Sequence, residues 1–281
     1  MTGVRRRRVP SFAITIVLGA SALGVAQGGP DSARPATKQF DMRVVTSGLE
    51  SPWEVTLGPD GKLWVTERSA LRITRLDPQT GVRKVATTLE AVARAAGPGG
   101  VLGMALHPRL LQDGGPDFVY VAVTYEDRVR PADPRVAAEN SPFRHLYAKV
   151  VRLRYERISE TLVEPTTLLD GLPAGNDHIA LRLAFAPDAT LHLTTGDQGN
   201  GQFGNFCNPA LSQRLPTAAE VEARDWSAYE GKTLRMTLDG GIPADNPTLD
   251  GVRSHVYTYG HRNPQGITVG AGSVYTSDHG P

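Results

Sequence analysis

The sequence predicts an all-β fold, and three observations support this. Short, alternating apolar runs follow one another from residue 40 onward, with Gly, Pro and Asp between them. A unit of strand, tight turn and strand recurs along the chain. Helical periodicity is confined to two short stretches in connections, residues 91–96 and 217–223. A self-similar β unit of several tens of residues is typical of a β-propeller blade.

The recurring unit is clearest at its turn and second strand. It occupies residues 58–67, 186–195 and 269–277, and a looser copy with an insertion spans 107–124. The first copy opens with Gly-Pro-Asp-Gly. Pro presets φ, Asp bonds to the nearby backbone and Gly accepts a positive φ, so each residue favours the turn.

The repeat also extends upstream of the turn, since residues 49–58 align with residues 261–270. Strands rich in Val or Thr at 149–154 and 233–238 would supply outer strands of the blades. We therefore expect an incomplete propeller of about four blades over residues 40–281. A β-sandwich is the alternative, because strand periodicity alone does not separate the two architectures.

The first 26 residues have the pattern of a secretory signal peptide. Residues 5–8 are four arginines, residues 12–25 are mostly apolar, and small residues follow at 24–26. The apolar run is shorter than the ~20 residues of a membrane-spanning helix. We expect a cleavable signal peptide over 1–26, a linker over 27–39, and a periplasmic or secreted protein without stable membrane insertion. A buried N-terminal helix is the alternative.

Composition and charge exclude several classes of protein. A chain that is 40% hydrophobic with a formal net charge of +1 does not fit a disordered protein. Its 30 basic and 29 acidic residues give no overall field for binding nucleic acid. Cys207 is the only cysteine, so no disulfide forms within the chain, and we interpret this thiol as structural or incidental.

Polar residues collect at the ends of the repeated strands. Glu67, Asp197 and Asp278 follow second strands, whereas His178 and Arg262 precede first strands. An antiparallel hairpin places the start of one strand beside the end of the other. We therefore expect these side chains to converge on one axial mouth, where closed β folds usually carry a binding site.

Each of these residues also has a structural interpretation. Asp197, between two glycines, fits a turn cap, and a lone histidine such as His178 is more often structural than catalytic. Arg262 fits a surface arginine in a turn. Their occurrence together at one expected rim favours a functional site.

The segments around these residues resemble a known family. They are Leu57-Gly-Pro-Asp-Gly-Lys-Leu-Trp-Val-Thr-Glu-Arg68, Asp177-His178, Gly196-Asp-Gln-Gly199, Tyr229-Glu-Gly-Lys232 and Gly260-His-Arg-Asn-Pro-Gln-Gly266. As an ordered set they resemble the soluble glucose and aldose sugar dehydrogenases that use pyrroloquinoline quinone (PQQ). The resemblance implies a six-bladed quinoprotein propeller with PQQ and calcium at the mouth. It also implies an aldose substrate, oxidised at the anomeric carbon to a lactone, and an external electron acceptor.

The resemblance also implies a role for each matching residue. His178 would be the general base, Asp197 the carboxylate that orients it, and Arg262 the cation that polarises the quinone carbonyls. The remaining matches are cofactor contacts or calcium ligands: Asn263 and Gln202 for PQQ, and the backbone carbonyls of Gly280 and Pro281 for calcium.

Other features favour a non-catalytic alternative, a secreted carbohydrate-binding or degenerate propeller fragment. Residues 179–181 are Ile-Ala-Leu where the family has small polar residues, which predicts a more apolar pocket wall. The sequence ends at Pro281, before the family's remaining blades. We therefore expect the chain by itself to bind PQQ weakly or not at all. A metal-dependent lactonase is a third alternative, and the sequence leaves a homodimer open.

Overall fold

The computed structural model describes residues 42–89, 97–136, 138–199, 205 and 209–280. The chain divides into two compact units, 1–43 and 44–281. Of the first unit, only the last two residues are described, and all the strands belong to the second. The expected signal peptide, linker, helix at 91–96 and Cys207 lie outside the described residues. In the part of the chain that the structure covers, no helix reaches the length and apolarity needed to cross a membrane.

The described chain forms three antiparallel four-stranded sheets and the hairpin of a fourth. The first blade comprises β1 (Pro52–Leu57), β2 (Leu63–Glu67), β3 (Arg72–Leu76) and β4 (Arg83–Thr88). The second comprises β5 (Val101–Leu106), β6 (Phe118–Glu126), β7 (Leu146–Glu156) and β8 (Thr161–Pro173). The third comprises β9 (Ala180–Phe185), β10 (Leu191–Thr195), β11 (Lys232–Met236) and β14 (Val256–Tyr259), with the small hairpin β12 (Thr248–Leu249) and β13 (Val252–Arg253) inserted before β14. The fourth hairpin is β15 (Pro264–Gly270) and β16 (Ser273–Asp278).

The first strands of successive blades lie next to one another. Strand β1 contacts β5, β5 contacts β9, and β9 contacts β15. These strands therefore line a common axis, and the other strands of each blade follow outward in chain order. A sandwich would instead pack two sheets face to face. The predicted propeller is confirmed, with three complete sheets and the first hairpin of another.

The connections between strands carry little regular structure. The predicted helix at 217–223 is present as α1 (Ala218–Ala223), between β10 and β11. Thr217 caps it, and Glu220 completes a reciprocal capping box with the Thr217 backbone. A 3-10 turn, Ser227–Tyr229, follows and leads into β11.

Strand β6 shows how the core is divided between blades. Val119, Val121 and Val123 belong to the apolar cluster shared with the first blade. Tyr120 and Ala122 belong to the cluster shared with the third blade. Alternate side chains of a strand point to opposite faces, so both faces of this sheet are buried. The nearly continuous apolar run of β6 follows from that burial.

Burial of His192 in β10 leads to a prediction about acid stability. The residue is 2% exposed and its ring packs edge-on against Tyr257. Burial, with a smaller effect of Arg235, lowers its pKa to about 4. The unfolded chain takes up this proton at higher pH than the folded chain. The stability contribution is therefore complete above about pH 6.5 and is lost as pH falls towards about 4.

We expect the His192→Gln variant to lose less stability than the wild type on acidification. The difference in free energy of unfolding between the wild type and the variant should change by up to about 1.4 kcal/mol per pH unit between roughly pH 6.5 and 4. Urea unfolding of both proteins at several pH values measures it. Parallel pH profiles for the two proteins would contradict the prediction.

Candidate active site at the axial mouth

The inner hairpins share a β-bulge at the same end. The register between the first and second strand shifts once in each blade: between Pro52 and Val55, between Val101 and Met104, between Leu193 and Thr195, and between Pro264 and Gly266. A bulge changes the direction of nearby side chains and is common next to active sites. The predicted site residues lie at this bulged end, because they precede β9 and β15 or follow β10 and β16.

A histidine and a carboxylate from the third blade form the centre of the mouth. The Nδ1 atom of His178 lies 2.6 Å from Oδ1 of Asp197, and both side chains are largely buried. Asp197 is positioned by its turn, since its Oδ1 also accepts the amide of Gly199 at 2.9 Å. A carboxylate at Nδ1 favours the tautomer with a proton there, which leaves Nε2 as the basic nitrogen. The Oδ2 atom of Asp177 lies 3.6 Å from that Nε2.

The fourth hairpin brings a cation to the same place. The amide of Asp197 donates to the carbonyl of Arg262 at 2.7 Å, which joins the two blades directly. The guanidinium of Arg262 donates to the carbonyl of His279, and the His279 ring lies edge-on to His178 at 6.4 Å between centroids. The structure thus joins the imidazole–carboxylate pair to the Arg262 backbone and places the Arg262 guanidinium on His279, whose ring lies beside His178. Their catalytic roles stay a prediction.

Asn263 carries a polar atom that is not satisfied by the described residues. The residue is 3% exposed, and its backbone N–H donates to Oδ1 of Asp278 at 2.6 Å. Its side-chain Oδ1 is buried without a hydrogen-bond partner in the described part of the chain. Buried polar atoms normally have partners. This oxygen therefore fits a place at which a bound molecule supplies a donor.

Two of the predicted site residues cannot be placed. Gln202 and Pro281 lie outside the described residues, so their contacts stay predictions. Gly280, the other expected calcium ligand, lies against the guanidinium of Arg262. Across the described ranges, no three His, Cys, Asp or Glu side chains group closely enough to hold a metal ion. The expected calcium ligands are backbone carbonyls, which are a different kind of donor.

Glu67 was expected at the mouth, but its side chain is structural. It is fully buried, forms a 2.8 Å ion pair with Arg72 and accepts from the hydroxyl of Thr74. Burial alone would raise its pKa, but the hydrogen bonds from Arg72 and Thr74 outweigh burial and lower the pKa to about 2. The Glu67 carboxylate therefore stabilises the first blade through its bonds to Arg72 and Thr74.

Residues 179–181 do not form the apolar pocket wall that the sequence predicted. Ile179 and Leu181 are at most 2% exposed and belong to the core between the second and third blades. Their apolar character serves packing, because the strand that follows His178 runs directly into the core. This removes one of the features that favoured a non-catalytic protein.

A polar network beneath the mouth was missed by the sequence reasoning. Arg182 forms an ion pair with Glu54 of the first blade and donates through Nε to the carbonyl of Gln265 at 2.8 Å. Arg182 and Glu54 line an axial cavity of about 360 Å³. Three blades are therefore joined across the axis. These residues share the bulge position of three inner strands, which only the strand registers of the structure reveal.

Gly196 fits its place because it has no side chain. A Cβ there would overlap the carbonyl oxygen of His178 and lie 3.3 Å from Oδ1 of Asn263. We expect Gly196→Ala to lower the free energy of unfolding by about 1–3 kcal/mol through overpacking. Gly270→Ala is the matched control, because a Cβ at Gly270 meets nothing within 4 Å. Equal urea midpoints for the two variants would show that the protein accommodates a Cβ next to the His178 carbonyl without loss of stability.

Comparison with known proteins identifies the family. The family model of glucose / sorbosone dehydrogenase matches residues 49–281. The chain belongs to the glucose/sorbosone dehydrogenase family. Quinoprotein glucose dehydrogenase B of Acinetobacter calcoaceticus is 37% identical over 251 residues, which cover 89% of this chain and 50% of that protein. The resemblance drawn from the sequence segments is thereby confirmed.

Solved structures of this family have the same fold. The PQQ-bound aldose sugar dehydrogenase of Streptomyces coelicolor superposes with a TM-score of 0.63 at 32% identity, over 85% of this chain and 60% of that chain. The soluble aldose sugar dehydrogenase of Escherichia coli, in its apo form, gives a TM-score of 0.64 at 22% identity, over 85% of this chain and 60% of that one. The chain thus spans half to three-fifths of the length of these family members.

Proposed function

We propose that this chain belongs to a PQQ-dependent sugar dehydrogenase that oxidises an aldose at the anomeric carbon to the lactone. The observation that carries the proposal is the 2.6 Å contact between His178 and Asp197 at a mouth shared with Arg262. The family assignment and the PQQ-bound structural neighbour support it. The electrons would pass on to an external acceptor. We also propose that the protein is exported, in keeping with the expected signal peptide.

His178 would act as the general base. With Nδ1 bound to Asp197, the ring is held in one orientation and Nε2 carries the lone pair. The anomeric hydroxyl would give its proton to Nε2 as the anomeric carbon is oxidised to the lactone carbonyl. The carboxylate of Asp197 stabilises the imidazolium that results.

Arg262 and Asn263 would bind the cofactor, together with Gln202. When bound, PQQ supplies the two-electron acceptor for the hydride. The guanidinium of Arg262 would stabilise negative charge that grows on an oxygen at the mouth during the reaction. The unpaired Oδ1 of Asn263 gives a bound molecule a buried hydrogen-bond acceptor beside that cation.

Calcium would bind at the backbone carbonyls of Gly280 and Pro281. Calcium is a hard cation that prefers oxygen ligands, and carbonyl oxygens suit it. The neighbouring carbonyl of His279 already accepts from the guanidinium of Arg262. The proposal of calcium at this turn therefore rests on the family resemblance and not on a cation-binding geometry of the described residues.

Titration of the purified chain with PQQ tests the proposal. We expect weak binding that strengthens with added calcium and falls with a calcium chelator. Arg262→Ala should weaken binding by about 10-fold or more, since charge-assisted hydrogen bonds contribute about 1.5–3 kcal/mol each. Dye-linked oxidation of aldoses should accompany the bound cofactor. No binding by the wild type, or equal binding by Arg262→Ala, would overturn the proposal. Sugar binding without PQQ would favour the non-catalytic alternative.

A further inference from the structure

A second cavity lies between the second and third blades and shares no residue with the mouth. Its volume is about 560 Å³. Its walls come from the loop after β6, the end of β8 and the segment around the C-terminus of α1. The lining is mainly apolar and includes Leu146, Pro173, Leu211 and Trp226. A cavity of this kind suits an apolar molecule with few polar groups.

Glu230 lines this cavity and carries a buried polar atom whose hydrogen bonding is not satisfied by the described residues. The residue is 1% exposed and lines the cavity. Its Oε1 accepts from the guanidinium of Arg135 at 2.6 Å, whereas its Oε2 is buried without a hydrogen-bond partner among the described residues. Burial raises the pKa of Glu230 to about 7, although Arg135 favours the ionised form. A buried acceptor without a donor costs free energy, so this oxygen favours a ligand that brings one.

The neighbouring cations are already engaged by other groups. Arg135 also binds Asp133 through Nε at 2.9 Å and Nη2 at 2.8 Å. Lys232 directs its Nζ to backbone carbonyls, among them that of Glu230 at 2.7 Å. The described residues that line the cavity include three arginines and three carboxyl groups, so with Glu230 ionised the lining carries no net charge and does not call for a charged ligand. What Oε2 lacks is a single neutral donor, which a hydroxyl group provides.

We propose that this cavity binds a small aromatic molecule carrying a hydroxyl group, a phenol, whose hydroxyl donates to Oε2 of Glu230 while its ring contacts the apolar walls. The walls disfavour a sugar, because most of its hydroxyls would lose water without gaining partners. A buried water could satisfy the same oxygen, and in that case a phenol would gain nothing from its hydroxyl. The proposal does not depend on dehydrogenase activity.

Isothermal titration of the full chain at about pH 8, above the pKa of Glu230, tests this with 2-naphthol and with 2-methoxynaphthalene as the ligand without a donor. We expect one site that binds 2-naphthol about 10-fold tighter than the ether, as a hydrogen bond of about 1.5 kcal/mol requires. Glu230→Gln should reduce this preference to about 2-fold or less, because the amide can present a donor where the carboxylate presents an acceptor.

Two further variants keep the test decisive if Glu230→Gln folds poorly. Ala223→Trp, at an exposed position that lines the cavity, should fill it and abolish binding while Glu230 stays intact. Glu164→Gln, on the exposed face of β8, should bind 2-naphthol like the wild type. The proposal is overturned if 2-naphthol does not bind, if both ligands bind equally, or if Ala223→Trp leaves binding unchanged.

Discussion

Replacing His178 with alanine is expected to lower the turnover of aldose oxidation by about 10²–10⁴-fold, the usual contribution of a positioned general base. The loss follows because the anomeric proton then has no acceptor held at the mouth by Asp197. PQQ binding should persist, since Arg262 and Asn263 are unchanged. Dye-linked steady-state kinetics at saturating PQQ, with a parallel PQQ titration, measure both quantities.

The matched control is His192→Gln, which alters another buried histidine of the same blade. His192 lies within β10 and packs against Tyr257, away from the Asp197 pair. We expect it to retain turnover near pH 7. Comparable turnover in His178→Ala and the wild type would refute the role of this imidazole. A loss in both variants would point to damage to the blade.

Replacing Lys232 with methionine is expected to lower the free energy of unfolding by about 3 kcal/mol or more, because three buried carbonyls lose a donor and each unsatisfied acceptor costs about 1–3 kcal/mol. The Lys232 side chain is fully buried and Nζ donates to the carbonyls of Leu211, Ser212 and Glu230 at 3.1, 2.7 and 2.7 Å. Methionine fills a similar volume, so the loss reflects three carbonyls without donors and not a cavity.

Lys84→Met serves as the control for loss of a lysine. Lys84 is half exposed and pairs with Glu160 at 2.9 Å on the surface, where such pairs contribute little. Its free energy of unfolding should stay within about 0.5 kcal/mol of the wild type. Urea denaturation compares the variants. A similar loss of stability in both variants would show that the buried hydrogen bonds of Lys232 stabilise the protein no more than a surface ion pair does.

The strands were predictable because local rules determine them. The repeated unit at 58–67 became the turn and strand β2, and the unit at 186–195 became β10. Gly58 and Ala186 each close their turn with a hydrogen bond four residues on, to Lys62 and Thr190. Turn residues and apolar alternation act within a few residues, so no tertiary information is needed to recognise them.

The candidate site was predictable only in part. His178, Asp197 and Arg262 were found because each stands at a strand end that the repeat places on one rim. The same reasoning placed Glu67 on that rim, but Arg72 and Thr74 draw its carboxylate into the first blade. The position of Glu67 in its strand places its backbone at the rim. The direction of its side chain depends on Arg72 and Thr74, which belong to the neighbouring strand.

By itself, the sequence determined the all-β repeat, the order of the blades and the rim that carries the polar residues, because turn chemistry and periodicity are local properties. Only the tertiary structure decided how the blades meet. It formed the ion pair of Arg182 with Glu54 and left the cavity that Glu230 lines. These depend on packing between strands more than a hundred residues apart or on loops meeting across blades. Such distances are set by how whole sheets pack, which no short stretch of sequence encodes.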